Sequence, residues 1–162
     1  MRKQKGFSLI ELLIVVAIIL IIAAIAIPNL LRSRIAANES SAVGSIRTVD
    51  TAQVTFSSTY PNVGFASAMG ALGGTPAACA VGATSTAACL IDQVLAAAPS
   101  QKSGYTFAIA GLSGAVPEVT YSVGGDPIQR GQTGQRSFFS DQSGVIRFNT
   151  GAPATPGDPP LQ

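Results

Sequence analysis

One carboxylate stands near the start of a long oily run. In KGFSLIELLIVVAIILIIAAIAIPN, Lys5 to Asn29, Glu11 is the single acidic residue. A charge inside lipid costs up to about 3 kcal/mol at a helix centre, so a carboxylate there needs a task. Elsewhere the chain has two cysteines, Cys79 and Cys89, one lysine beyond the N-terminal cations, Lys102, seven further carboxylates and no histidine. That removes Ser-His-Asp and Cys-His nucleophile systems, the usual Cys/His zinc sites and C-x-x-C-H haem attachment. G-x-S-x-G, a P-loop and G-x-G-x-x-G are also missing. Carboxylates and Lys102 leave some catalysis open in principle. The expectation is nevertheless a protein that catalyses nothing and carries no cofactor and no metal.

The elements that must position Glu11 follow from composition and period. A chain of 162 residues suits one globular domain plus whatever the apolar N-terminus does. Charged residues are 11% and mean hydropathy is +0.40, which points to a membrane or to burial between subunits. Without residues 1–6, which hold Arg2, Lys3 and Lys5, seven basic side chains face eight acidic ones. No basic stripe is left to neutralise phosphates, so no nucleic-acid partner is expected.

Leu12 to Ile27 are all apolar, and the span from Phe7 is about 31 Å as a helix, the thickness of a hydrocarbon core. Arg2, Lys3 and Lys5 put the N-terminus in the cytoplasm and the rest of the chain beyond the membrane. Arg32 and Arg34, on the far side, work against that assignment. Leu31, Ile35, Ala42, Ile46, Val49, Phe56 and Tyr60 keep a 3.6-residue period, with Arg47, Asp50 and Ser57 on other faces. One helix over about residues 7–60 is therefore expected, kinked at Pro28, where the ring and missing N–H disturb the bond to the Ala24 carbonyl. Nine of ten prolines and fifteen of seventeen glycines follow Tyr60, so the helix stops there and a head over 61–150 begins.

In the head, Leu90, Ile91, Val94 and Leu95 predict a short helix capped by Ser85 or Thr86. Tyr105, Phe107 and Ile109 alternate, as do Val119, Tyr121 and Val123, predicting a hairpin turned at Gly111 to Gly114. A second hairpin pairs Ser137 to Phe139 with Val145 to Phe148. The predicted class is α+β, the second half of the long helix packing on a small antiparallel sheet. Residues 151–162 read as a Pro-rich tail unable to fold alone.

Three readings compete for the N-terminus. A secretory signal peptide has an A-x-A-like site at Ala24-Ile25-Ala26, but Glu11 interrupts its core. A plain anchor would have to tolerate Glu11. The third rests on Lys5-Gly6-Phe7-Ser8-Leu9-Ile10-Glu11, then the apolar run, then Pro28, which closely resembles the class III signal of type IV prepilins and related pseudopilins. The resemblance covers Met1 to about Tyr60. It implies a pilin fold, a leader of residues 1–6 cleaved between Gly6 and Phe7 by a membrane prepilin peptidase, and N-methylation of the Phe7 amine. It also implies an inner-membrane assembly platform and polymerisation with other pilin subunits. Many members carry glycine within the apolar run where this chain has Leu20, which leaves Pro28 as the main hinge.

The residues give Glu11 a compatible task. Cleavage creates a cationic amine on Phe7 one helical turn away, and pairing it with Glu11, within or between subunits, offsets both charges in an apolar setting. A subunit out of step would leave both unpaired, so the pair acts as a register pin. Cys79 and Cys89 lie on the oxidising side under this topology. A disulfide there would contribute about 2–3 kcal/mol through the short loop it closes. Asp141-Gln142-Ser143-Gly144 reads as a β-turn in preference to a calcium loop. The SFFSDQSGVIRFN region resembles the C-terminal hairpin of some bacterial pilin-like or secretion protein G chains. The ten aromatics read as core residues, not a conduction path. The expected function is a type IV pilus-like filament subunit. The alternatives are a type II secretion pseudopilin in the periplasm and a monomeric membrane-anchored envelope binding module.

Overall fold

The apolar run and the 3.6-residue stripe behind it merge into one helix, α1, Leu9–Thr59, with Pro28 inside it. The structure, a computed structural model, describes residues 7–161. The expected leader, residues 1–6, with Gly6 and the three cations before Phe7, lies outside the described residues, as does Gln162. The chain divides into two units, Met1–Arg34 and Ile35–Gln162. The helix bounds agree with the expected 7–60 to within the usual fraying.

In the second unit, Ala42, Ile46, Val49, Ala52 and Phe56 are buried along one face of α1. They share a core with Tyr105, Phe107, Val123 and Phe138 from the sheet. The turn at Tyr60 ends the helix: Val63 and Gly64 both donate to the Tyr60 carbonyl. Gly64 has φ +80°, and an added Cβ there would strike the Glu118 backbone, so no larger residue fits the bridge between the two.

Residues 60–100 wind through α2 (Met69–Leu72), α3 (Pro76–Val81) and α4 (Gln93–Ala96). The first two were not foreseen from sequence. Helix α3 has the local chemistry of a helix start, because Thr75 accepts from the Ala78 N–H and Pro76 needs no donor. Helix α4 corrects an expectation: its cap is Asp92, accepting from the Leu95 N–H at 3.0 Å, not Ser85 or Thr86. Leu90 and Ile91 lie outside it. Thr84 and Ala87 instead close a small turn through their backbones.

The sheet is a five-stranded antiparallel meander in the order β1 (Gln101–Lys102), β2 (Tyr105–Ala110), β3 (Ser122–Pro127), β4 (Ser137–Asp141), β5 (Arg147–Asn149). Both hairpins exist, with shifted edges. Val119 and Tyr121 precede β3, so the first connection runs over 111–121 and not over Gly111 to Gly114. The Glu118 carboxylate holds this longer loop by accepting from Ser113 N, Ser113 Oγ and Gly114 N, while Glu118 N donates to Val63 O. Val145 falls in the second turn, ahead of β5. Gly125 lets α1 approach β3: a Cβ there would stand 3.1 Å from Phe107 and 3.2 Å from Ile46. The tail docks along β5, with Phe148 N donating to Pro159 O and Leu161 N to Ile146 O. Its prolines offer no outward donor, which blunts the sheet edge.

Candidate assembly surface on the N-terminal helix

Residues 9–34 form a helix because their backbone groups bond within the segment, the one arrangement an apolar surrounding tolerates. Ser8 stands at its start, and the Ser8 N–H donates to Glu11 Oε2 at 3.0 Å while Leu12 N bonds Ser8 O. Ser8-Leu9-Ile10-Glu11 is thus one half of a capping box, the third helical residue reaching back to the cap. The carboxylate also lies at the positive end of the helix dipole. This local role is encoded in the S-x-x-E spacing.

Every described residue from Phe7 to Arg34 is exposed except half-buried Ala23. Phe7 is 74% exposed, and Leu, Ile and Val side chains line the helix on all sides from Leu9 to Leu31. A continuous apolar surface of this size is covered in use, by lipid or by other helices. By length and composition the helix can cross a membrane. Within the apolar run Glu11 is the one charge, and Arg32 and Arg34 follow it. The helix assignment continues through Pro28, and Ser33 Oγ donates to the Asn29 carbonyl just after it at 3.0 Å.

The remaining singled-out residues lie in the head. Cys79 and Cys89 are joined as a disulfide with Cα atoms 5.8 Å apart. Asp141 forms a turn: Gly144 N donates to its carbonyl, and Ser143 N to its Oδ1 at 2.8 Å. No group of three or more His, Cys, Asp or Glu side chains that could share an ion occurs among the described residues. Lys102 is engaged by Asp92 at 2.7 Å. A cleft lined by Gly70, Gly74, Thr75, Ala78 and Ala96, among others, contains no titratable side chain.

Sequence reasoning missed two carboxylates that face the sheet from α1. Glu39, buried, accepts from Gln135 N and Arg136 N through Oε1 and from Arg136 Nε through Oε2 at 2.8 Å. Burial pushes its carboxyl up, but these donors prevail and hold it below the usual range. The Arg136 guanidinium also lies over the rings of Phe138 and Phe148. Asp50, expected off the apolar stripe, is half-buried and accepts from the Tyr121 and Ser140 hydroxyls at 3.1 and 2.7 Å. Burial raises its carboxyl, and the two hydroxyls offset only part of that rise. Gln53, fully buried, donates to Ala66 O and accepts from Ala66 N. All three are structural ties between helix and head, with no open coordination or substrate position.

Comparison with known proteins gives the N-terminus a context. Residues 1–27 match the family model for the prokaryotic N-terminal methylation motif. A type IV wide pilus major component of Thermus thermophilus is 65% identical over 40 residues, 25% of this chain and 30% of that protein. A type IV major pilin protein of Myxococcus xanthus is 48% identical over 54 residues, 33% and 24%. The type II secretion system core protein G of Vibrio cholerae is 42% identical over 52 residues, 32% and 36%. The chain thus spans between 24% and 36% of the length of these curated relatives. No solved structure gives a significant match. Residues 1–27 carry the methylation motif, and the chain is similar over 40 to 54 residues to two type IV pilins and a type II secretion core protein.

Proposed function

We propose that this chain is a structural subunit of a type IV pilus-like filament that polymerises through its N-terminal helix and catalyses nothing. One observation carries the reading: residues 9–31 present apolar side chains on every side of a helix, with Glu11 as the single carboxylate among them. A surface of this kind serves lipid in the precursor and neighbouring helices in a bundle equally well. In the precursor, Arg2, Lys3 and Lys5 hold the N-terminus on the cytoplasmic side of the inner membrane and the head lies in the periplasm. A prepilin peptidase and methylase cleaves between Gly6 and Phe7 and methylates the new amine. The assembly platform then draws the helix from lipid into the filament, and Pro28 serves as the hinge.

Glu11 acts at that transfer. The Phe7 amine created by cleavage is the nearest cation, and their pairing across subunits admits only copies in register. Shearing cells and sequencing the released fibres tests the whole reading. A processed chain beginning at Phe7 in long extracellular fibres is the expected result. Glu11→Gln should abolish fibre yield at equal subunit expression, and parental yield would sink the register role.

The likeness to a secretion protein G supports a second reading, a pseudopilin confined to the periplasm. Processed chain retained in the envelope, with no sheared fibre, would favour it. Unpolymerised, membrane-held chain would favour a monomeric envelope binding module.

A further inference from the structure

Two cations of the N-terminal unit have no task in that account. Arg32 and Arg34 follow the apolar run, both exposed, and neither has an ion-pair partner among the described residues. They also stand on the side of the membrane where the positive-inside rule disfavours them. Glu11, on the same helix, has one described bond, from the Ser8 N–H to Oε2, which leaves Oε1 without a partner among the described residues. One carboxylate and two arginines on a single apolar rod cannot meet within the rod, because the helix separates Glu11 from Arg34 by 23 residues, about 35 Å. They can meet between copies.

The geometry selects one of the two arginines. At about 100° per residue, Arg34 lies about 140° around the helix from Glu11, whereas Arg32 lies only about 60° away. Parallel copies that pass one surface to a neighbour and receive the next on the opposite surface make a heterologous contact, which grows without closing. Such a contact needs complementary groups on nearly opposite faces. Glu11 and Arg34 meet that condition, and Arg32 does not.

We infer that Arg34 of one copy reaches Glu11 of a second copy displaced by 23 residues along the helix, so that this pair sets the axial stagger of the polymer. The inference rests on the filament reading above and adds to it the partner and the distance. The Phe7 amine of a neighbour displaced by only about one helical turn takes one edge of the Glu11 carboxylate, while the planar guanidinium of the second copy is suited to the other edge. At a stagger that sets Glu11 beside residues 12–27 of the second copy, it would face aliphatic side chains.

Disulfide trapping tests the stagger without touching either charge. Ser8→Cys with Leu31→Cys keeps the 23-residue offset, and Ser8→Cys with Ala24→Cys gives a 16-residue offset on a similar face. In sheared, oxidised filaments the first pair should yield crosslinked dimers on non-reducing gels and the second should not. Arg34→Gln should cut fibre yield by about tenfold or more, and Arg34→Lys should recover most of it. Fibres that crosslink through the 8 and 24 pair, or that lack the 8 and 31 crosslink, overturn the stagger and leave the filament reading standing. So does parental yield from Arg34→Gln. Failure of the parent chain to form any fibre overturns the filament reading itself and the inference with it.

Discussion

The two glutamates of α1 are handled in opposite ways, and the contrast separates the two units of the molecule. Glu39 is buried in the head and receives three donors from the stretch before β4. Glu11 is exposed and receives one, from the residue that begins its own helix. The same holds for apolar groups. Phe56 is fully buried in a core of sheet and helix residues, whereas Phe7 and the Ile and Leu residues after it touch nothing that covers them. The head satisfies its buried side-chain polar atoms within one chain, Asp126 Oδ1 being the exception among the described residues, and it gathers most of its buried apolar residues into one core. The N-terminal segment leaves both unmet, which is the physical signature of a surface meant for other molecules.

Breaking the head should therefore not alter the N-terminal helix. The largest effect is expected from Phe56→Ala, which empties a fully buried ring position and should cost about 3–5 kcal/mol of head stability. Thermal unfolding of the full chain in detergent, followed by near-ultraviolet circular dichroism of the head tyrosines, measures it. Helix signal from the N-terminal segment should persist after the head melts. Loss of both in one transition would erase the distinction between the units.

Glu39→Gln comes next, at about 2–3 kcal/mol, since it leaves Arg136 and two backbone N–H groups poorly matched in a site that is partly open to water. Its pH dependence sharpens the comparison. The folded carboxyl of Glu39 is held below its unfolded value, so its contribution is present above the ordinary glutamate range and fades as pH falls through the lowered value. The gap between parent and Glu39→Gln should accordingly narrow in acid. Replacing Cys79 and Cys89 together by serine should cost about 2–3 kcal/mol through the freed loop, with melts under reducing conditions converging on the variant.

The smallest effect has the opposite sign. Asp50 has its folded carboxyl raised by burial, so the protonated form is favoured and stability is lost as pH rises through the raised value. Asp50→Asn, which keeps an acceptor for one hydroxyl and a donor for the other, should stabilise the head by up to about 1 kcal/mol at neutral pH. That gain should vanish below about pH 4. A loss at neutral pH would mean that the charged form is the one the Tyr121 and Ser140 hydroxyls serve best.

Much of the long helix was legible because its evidence is local. A 3.6-residue stripe, an apolar run of membrane length and the Pro and Gly that follow Tyr60 need no knowledge of the rest of the chain. The β2 to β3 hairpin was legible in kind through its alternating residues, but its edges were not, because the tie from Glu118 to Ser113 and Val63 replaces a tight turn with a longer loop. Asp92 was overlooked as the α4 cap because Ser85 and Thr86 are equally good cap residues on type alone, and only the position of Leu95 in the core selects between them.

At the candidate site, Glu11 stood out because one charge among sixteen successive apolar neighbours on its C-terminal side is visible by inspection. Its bond to Ser8 lies within four residues and was equally available from the sequence. The pairing of Glu39 with Arg136 joins residues 97 apart, and that of Asp50 with Ser140 joins residues 90 apart. No period or spacing encodes such partners, since they meet only once the sheet has folded against α1. By itself, then, the sequence determined the helix, its oily surface and the carboxylate set in it, all products of near-neighbour chemistry. Which charges the molecule would satisfy internally was decided only by the tertiary structure, because long-range burial alone brings their donors within hydrogen-bond reach.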